Sequence, residues 1–248
     1  MTLVLHHGWT STCSQKVRLA LAEKQLEYEG RVLNLRRFQH LTPEFLALNP
    51  DGVVPVLVHD GFVVRESTAI NEYLDDAFLE PRLRPRDAIG RARVGMWTRF
   101  IDEVPTQAIK YPSFQRNLGP AIRGYSDDEL EAGLARMPSR ETAERWRNAA
   151  RDGIPHEQLA DADRKLRLTL ERMEAALERS AWLAGDAYTL ADTNMTPFVH
   201  RMASFPEYEL ARWPSAADWY ARVKERPSFA AAKLVQQTRT LDQRVGAD

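Results

Sequence analysis

The run Asn49-Pro50-Asp51-Gly52-Val53-Val54-Pro55-Val56-Leu57-Val58, followed by Arg65-Glu66-Ser67-Thr68-Ala69-Ile70, constrains this chain more than any other stretch. Pro55 heads an apolar run, and a proline lacks the N–H that a strand interior needs, so it belongs at a strand start. At such a point it predicts a tight turn with a cis Val54-Pro55 bond. Asp60-Gly61, between the apolar runs Pro55 to Val58 and Phe62 to Val64, is a hairpin signal. Glu66 to Phe78 then reads as a helix with Ile70, Tyr73 and Leu74 turned inward.

The residues before this run supply the rest of an α/β unit. Leu3 to His7 reads as a strand and Ser11 to Lys24 as a helix capped by Ser11 or Thr12, with Val17, Leu19, Ala20 and Leu21 on its apolar face. Tyr28 to Leu33 reads as a second strand. Strand, helix, strand implies a parallel pair with a right-handed crossover. With a short helix over Pro43 to Leu48, the order is βαβ-α-ββα, and residues 1–80 are expected to form a thioredoxin-like domain. Pro81 and Pro85, interleaved with Arg82, Arg84 and Arg86, predict a solvated linker over 81–88.

Beyond it, helical periodicity dominates, and 89–248 is expected to be an all-α helical bundle. Gly90 to Val104 carries Val94, Trp97, Phe100 and Ile101 at helical spacing. Ser126-Asp127-Asp128-Glu129 opens a helix with a capping serine and first-turn acids, and Thr189-Leu190-Ala191-Asp192 has capping-box spacing. Asp161 to Arg179 reads as a long helix striped by Leu166, Leu170, Met173 and Leu177; Trp213 to Lys224 closes the bundle. The basic run Arg140 to Arg151 reads as a solvated helix face.

Composition narrows the function. With 34 basic and 35 acidic residues the formal charge is −1, which favours neither nucleic acid nor anionic membranes as partners. No apolar run is long enough to span a bilayer, and the N-terminus has no signal-peptide pattern. One cysteine, Cys13, permits no internal disulfide and fits a cytoplasmic protein. No His-Glu-x-x-His or cysteine cluster points to a metal.

What the residues do assemble is a small-molecule site. Glu66 and Ser67 aim a carboxylate, a hydroxyl and the free N–H groups of a helix start at one volume, which suits an amino acid: acceptors for its ammonium, donors for its carboxylate. The Val54-Pro55 turn offers a backbone edge beside it. The first βα turn, Ser11-Thr12-Cys13-Ser14, crowds hydroxyls and a thiol at another helix start, where an anion such as a thiolate is favoured. His40 or Gln39 could hydrogen-bond a carboxylate. Trp97, Phe100, Tyr111, Phe114, Tyr125 and Trp146 are core candidates; a few of them, with Trp9, could line an apolar pocket, and spacing alone does not select which.

Ser11 to Arg18, Phe45 to Pro55 and Glu66 to Leu74 together resemble the glutathione transferases, the first segment being close to the Ser-Ser-Cys-Ser turn of the zeta class. The resemblance implies a cytoplasmic homodimer that takes glutathione as cosubstrate. It implies Ser11 as the hydroxyl that activates the thiolate, Val54 with Pro55 as the backbone partner of the cysteinyl unit, Glu66 and Ser67 at the γ-glutamyl end, and His40 at the glycine carboxylate. Thr189 and Asp192 match the family's structural capping box.

Ser126 to Glu129 and Arg145 to Pro155 resemble the helical insertion of bacterial β-etherases, which use glutathione to break aryl ethers in lignin fragments. That family carries Asn-Ser at the position of Cys13-Ser14 and a glycine at that of Ser11, which makes Ser14 a second candidate for the working hydroxyl. Val53 replaces a residue that is often polar. The implied reaction is attack of the glutathione thiolate on an apolar or aromatic electrophile, in detoxification or aromatic-compound degradation. Two rivals stay open: a Cys13-based thiol transferase or reductase, and a non-catalytic ligand-binding relative.

Overall fold

In the computed structural model, which describes residues 2–234, β1 (Leu3–His7) and β2 (Glu29–Val32) run parallel, joined through α1 (Thr12–Glu23). After α2 (Pro43–Leu48) the chain makes the cis Val54-Pro55 bond and enters the antiparallel pair β3 (Val56–His59) and β4 (Phe62–Arg65). Asp60 and Gly61 take positive φ, 47° and 86°, which is the twist a two-residue hairpin requires. β3 also pairs antiparallel with β1, so the sheet order is β2-β1-β3-β4. α3 (Ser67–Ala77) packs with α1 on the sheet, around Leu5, Val17, Leu57, Ile70 and Leu74, all fully buried. This is the expected thioredoxin-like order.

The second unit is helical: α4 (Ala88–Glu103), the short α5 (Pro105–Ala108) and α6 (Lys110–Ser113), a π-helical turn over Phe114–Leu118, α7 (Gly119–Ile122), α8 (Asp127–Leu134), α9 (Arg140–Ala150), α10 (His156–Leu177), α11 (Leu190–Met202), α12 (Pro214–Glu225) and α13 (Pro227–Ala231). Leu166, Leu170 and Met173 face the core as their spacing predicts, with Met195, Phe198 and Trp219 opposite. The expected domain continues past residue 234, outside the described residues.

Three expectations need correction. α10 begins at His156, a turn before Asp161, because Gly153 (φ 87°) ends the preceding turn and Pro155 enters with a helix-compatible φ of −51°. The segment 81–88 is tied down rather than wholly solvated: Leu83 is buried against Val94 and Leu190, its N–H donates to Asp75 at 2.8 Å, and Lys24 reaches both Asp75 and the Pro81 carbonyl. The run over 140–151 is not a solvated face, since Arg145, Trp146, Ala149 and Ala150 are buried.

The two units meet along α1 and α11. Asn71 Nδ2 donates to Asn194 Oδ1 at 2.6 Å, and the fully buried Lys16 donates to Thr68 and Asp102. Arg18 donates to the carbonyls of Trp9, Ala232 and Lys233. Glu23 accepts from Arg226 and Ser228. These buried polar ties fix the start of α1 relative to the helical unit, and so fix the mouth between them.

Candidate active site

Ser11 is the N-cap of α1, with an extended backbone (φ −68°, ψ 120°), and its Oγ accepts from the Ser14 N–H at 3.2 Å. That use leaves the hydroxyl hydrogen of Ser11 available to a ligand. Ser14 is fully buried, and its Oγ accepts from the Gly8 N–H at 3.2 Å, so it braces the turn from behind. Arg201 braces the turn from the helical unit, donating from Nη2 to the Thr10 carbonyl at 2.7 Å. The turn is thus held on two sides with Ser11, Thr12 and Cys13 outward.

A cavity of about 340 Å³ opens in front of it. Ser11, His40, Val54, Pro55, Glu66 and Ser67 all lie on its wall, although far apart in sequence. Ser14 does not. Cys13 does: it is a free, partly exposed thiol on the wall.

Glu66 sits at the N-cap of α3 with φ 65° and makes no capping bond. A non-glycine residue in that region costs about 1–3 kcal/mol, a strain that clusters where ligands are clamped. The conformation leaves the carboxylate off the helix end, beside the buried Ser67. Asn49 Nδ2 donates to the Val53 carbonyl at 2.8 Å and steadies the loop leading to Val54 and Pro55.

His40 is buried, stacked on Trp146 at 5.9 Å, and its Nδ1 has no protein partner. Burial, helped by the nearby Arg136 charge, pulls its pKa down to about 4. It is therefore a neutral imidazole near pH 7, offering a hydrogen bond but no ionic attraction. Gln39 is not on the cavity wall, and its Oε1 accepts from the Asn34 N–H at 2.7 Å.

The opposite wall comes from the helical unit: Lys110, Phe114, Asn117, Arg145, Trp146 and Arg201. Only Phe114 and Trp146 were in the aromatic set that sequence spacing raised, and Trp9 from that set packs instead against His7 and Arg18. For Arg145 a signal did exist: Trp146, Ala149 and Ala150 follow at helical spacing and mark a buried face. Lys110 and Asn117 had none, because α5, α6 and the π-helical turn are broken by Pro105 and Pro112 and carry no sustained period; Arg201 had none because α11 is buried on every side and no face singles it out.

Comparison with known proteins bears on this geometry directly. Residues 10–77 match the model of the glutathione S-transferase N-terminal domain, and residues 136–227 that of its C-terminal domain. Protein LigF of Sphingobium sp. (strain NBRC 103272 / SYK-6) is 32% identical over 237 residues, covering 92% of each chain. The crystal structure of β-etherase LigF from that strain superposes with a TM-score of 0.87 over 94% of this chain and 98% of the other. Glutathione S-transferase Z1 of Arabidopsis thaliana is 29% identical, covering 93% of this chain and 90% of its own. The chain belongs to the glutathione S-transferase family. It is a glutathione-dependent transferase, and the cosubstrate expected from the sequence is the family's own.

Proposed function

We propose that this protein ionises the thiol of glutathione at Ser11 and directs the thiolate at a carbon of an aromatic electrophile, with cleavage of a β-aryl ether as its specific reaction. The observation that carries this reading is the convergence of Ser11, Val54, Glu66 and Ser67 on one cavity whose far wall holds the aromatic rings of Phe114 and Trp146. The overall likeness to β-etherase LigF supports the ether. In that reaction sulfur attacks the carbon bearing the aryloxy group, the C–S bond forms as the C–O bond breaks, and the phenolate leaves with the bonding electron pair. Phenolate is a stable leaving group, so the protein's task is to ionise and align the nucleophile.

In the same reading Glu66 and Ser67 hold the γ-glutamyl end, Val54 with Pro55 aligns the cysteinyl backbone, and neutral His40 donates to the glycine carboxylate. Because the Glu66 side chain makes no capping bond, its removal should spare the fold. Glu66→Ala is expected to weaken glutathione binding about tenfold or more, the worth of a charge-assisted hydrogen bond. Isothermal titration with glutathione measures this, and an unchanged affinity rules Glu66 out of the site. The whole reading is tested by incubating protein and glutathione with β-aryl ethers, aryl halides and mixed disulfides and identifying products. A glutathione thioether plus free phenol is the expected outcome with the ethers; turnover of disulfides alone would assign the chemistry to Cys13, whose position on the wall favours that second reading.

A cytoplasmic homodimer completes the proposal. No described helix is long and apolar enough to cross a membrane, and Phe62, Ile89 and Met96 are exposed apolar side chains. Sedimentation equilibrium at about twice the chain mass of 28.3 kDa is the expected result.

A further inference from the structure

The cavity wall is unevenly charged. Arg36, Lys110, Arg145 and Arg201 line it, against Glu66 as the one carboxylate among the described residues. Glutathione as its thiolate brings a net charge of about −2; with Glu66 it offsets three of the four cations, and Glu141, paired with Arg145, offsets the fourth.

Three of the four cations, Lys110, Arg145 and Arg201, lie on the helical wall, and they are held differently. Arg145 pairs with Glu141 and lies over the Tyr111 and Phe114 rings at 5.0 and 5.8 Å. Arg201 donates to the Thr10 carbonyl and Ser113 through its two terminal nitrogens, while its Nε is buried without a partner. Lys110 is different. Its ammonium has three donors and makes one hydrogen bond, to Gln107 Oε1 at 2.7 Å, with no carboxylate within ion-pair distance among the described residues. Burial holds its pKa below the ordinary lysine value, with Cys13, Glu141 and Glu66 drawing it up and Arg145 pressing it down. On the same wall the Asn117 Nδ2 is buried with no partner. The Lys110 ammonium keeps two donors on the solvent-facing side of the wall, and the orphaned Asn117 amide beside aromatic rings is costly to hold unless something accepts from it.

We propose that Lys110 and Asn117 form an oxyanion-binding subsite of the electrophile pocket, so that the second substrate is an aryl compound bearing an anionic oxygen, carboxylate or phenolate. The inference rests on the glutathione-transferase reading and goes beyond it in naming the charge of the partner that glutathione attacks. The ring packs on Phe114 and Trp146 while its anionic oxygen accepts from Lys110 Nζ and Asn117 Nδ2.

Paired electrophiles test it, each kcat/KM being divided by the uncatalysed second-order rate with glutathione, because a carboxylate or phenolate activates the ring less than its methyl ester or ether. 4-Chloro-3,5-dinitrobenzoate and its methyl ester undergo the same substitution, in which glutathione sulfur bonds to the ring carbon and chloride leaves with the electron pair. The wild type is expected to prefer the carboxylate in kcat/KM so corrected. Lys110→Met should reduce that preference about 10- to 100-fold, with the loss in KM rather than kcat, and Lys110→Arg should restore most of it. Asn117→Leu should reduce it in the same direction. A second pair, a chlorodinitrophenol and its methyl ether, reads phenolate against carboxylate; preference for the anion in either pair supports the subsite. Equal acceleration of anion and neutral partner over their uncatalysed rates, in both pairs and by the wild type, overturns the subsite and leaves the transferase reading standing. An equal loss on both partners in Lys110→Met, accompanied by an upward move of the pH–rate profile, also overturns it, because Lys110 then acts on the thiolate. Failure to turn over any of the four, with no glutathione bound, overturns the transferase reading and the subsite together.

Discussion

Ser11→Ala is expected to lower kcat/KM for glutathione conjugation about 10- to 100-fold, the worth of a hydrogen bond to a charged group. The Ser11 hydroxyl, unlike that of Ser14, combines a place on the cavity wall with a hydrogen free to donate. Removing it takes away stabilisation of the thiolate but not of the thiol, so the apparent pKa in the kcat/KM profile should rise by about 1–2 units. The same substitution removes the N-cap of α1, at a cost of about 1 kcal/mol in stability. Ser11→Thr keeps both functions and should recover most of the activity. Ser14→Ala separates the two candidate serines. It leaves the Gly8 N–H unpaired in the interior, which should cost about 1–3 kcal/mol without moving the pKa of the profile. A shift in the Ser14 variant and none in the Ser11 variant would reverse the assignment. Cys13→Ser should abolish disulfide exchange if Cys13 carries it, and a conjugation activity that survives the change excludes Cys13 as the nucleophile.

These serines show where sequence is informative. The N-terminal half was legible because its signals are local: Pro55 before an apolar run, Asp60-Gly61 between two such runs, Ser11 ahead of a helical stripe. Each names its element without knowledge of the rest of the fold. Telling Ser11 from Ser14 was another matter. Both lie at one helix start, and only the approach of the Gly8 backbone to Ser14 separates the bracing hydroxyl from the exposed one. The helical wall was less legible still. Arg145 looked like a surface charge because its neighbours in sequence are charged, yet it is buried with its guanidinium over the Tyr111 and Phe114 rings. Lys110 and Asn117 belong to a segment of short, proline-broken turns whose placement depends on packing against α9 and α10. A substrate pocket gathered from such pieces has no period to read.

Asp192→Ala is expected to be the most damaging single change in stability, about 3–5 kcal/mol, out of a total that for most domains is about 5–15 kcal/mol. Asp192 is fully buried, and its two oxygens are each used twice. Oδ1 accepts from the Leu183 N–H at 3.0 Å and from Trp219 Nε1 at 2.9 Å. Oδ2 accepts from the Thr189 N–H at 3.0 Å and from its hydroxyl at 3.2 Å. One carboxylate therefore joins the loop at Leu183, the start of α11 and the middle of α12. Alanine strands three N–H donors in an interior from which water is excluded. Asparagine keeps an oxygen for Leu183 and Trp219 and sets an amide against the Thr189 donors, so Asp192→Asn should cost about 1–3 kcal/mol. Urea unfolding followed by tryptophan fluorescence measures both, and a loss below about 1 kcal/mol for the alanine variant would show that these bonds add nothing net. The pH dependence gives a second reading. Burial raises the Asp192 carboxyl above its ordinary value, with the four donors opposing it. Between the ordinary and the raised value the folded chain binds more protons than the unfolded one, so this group's contribution to stability falls as pH rises through that window. The asparagine variant lacks that slope, and the difference between the two unfolding profiles isolates it.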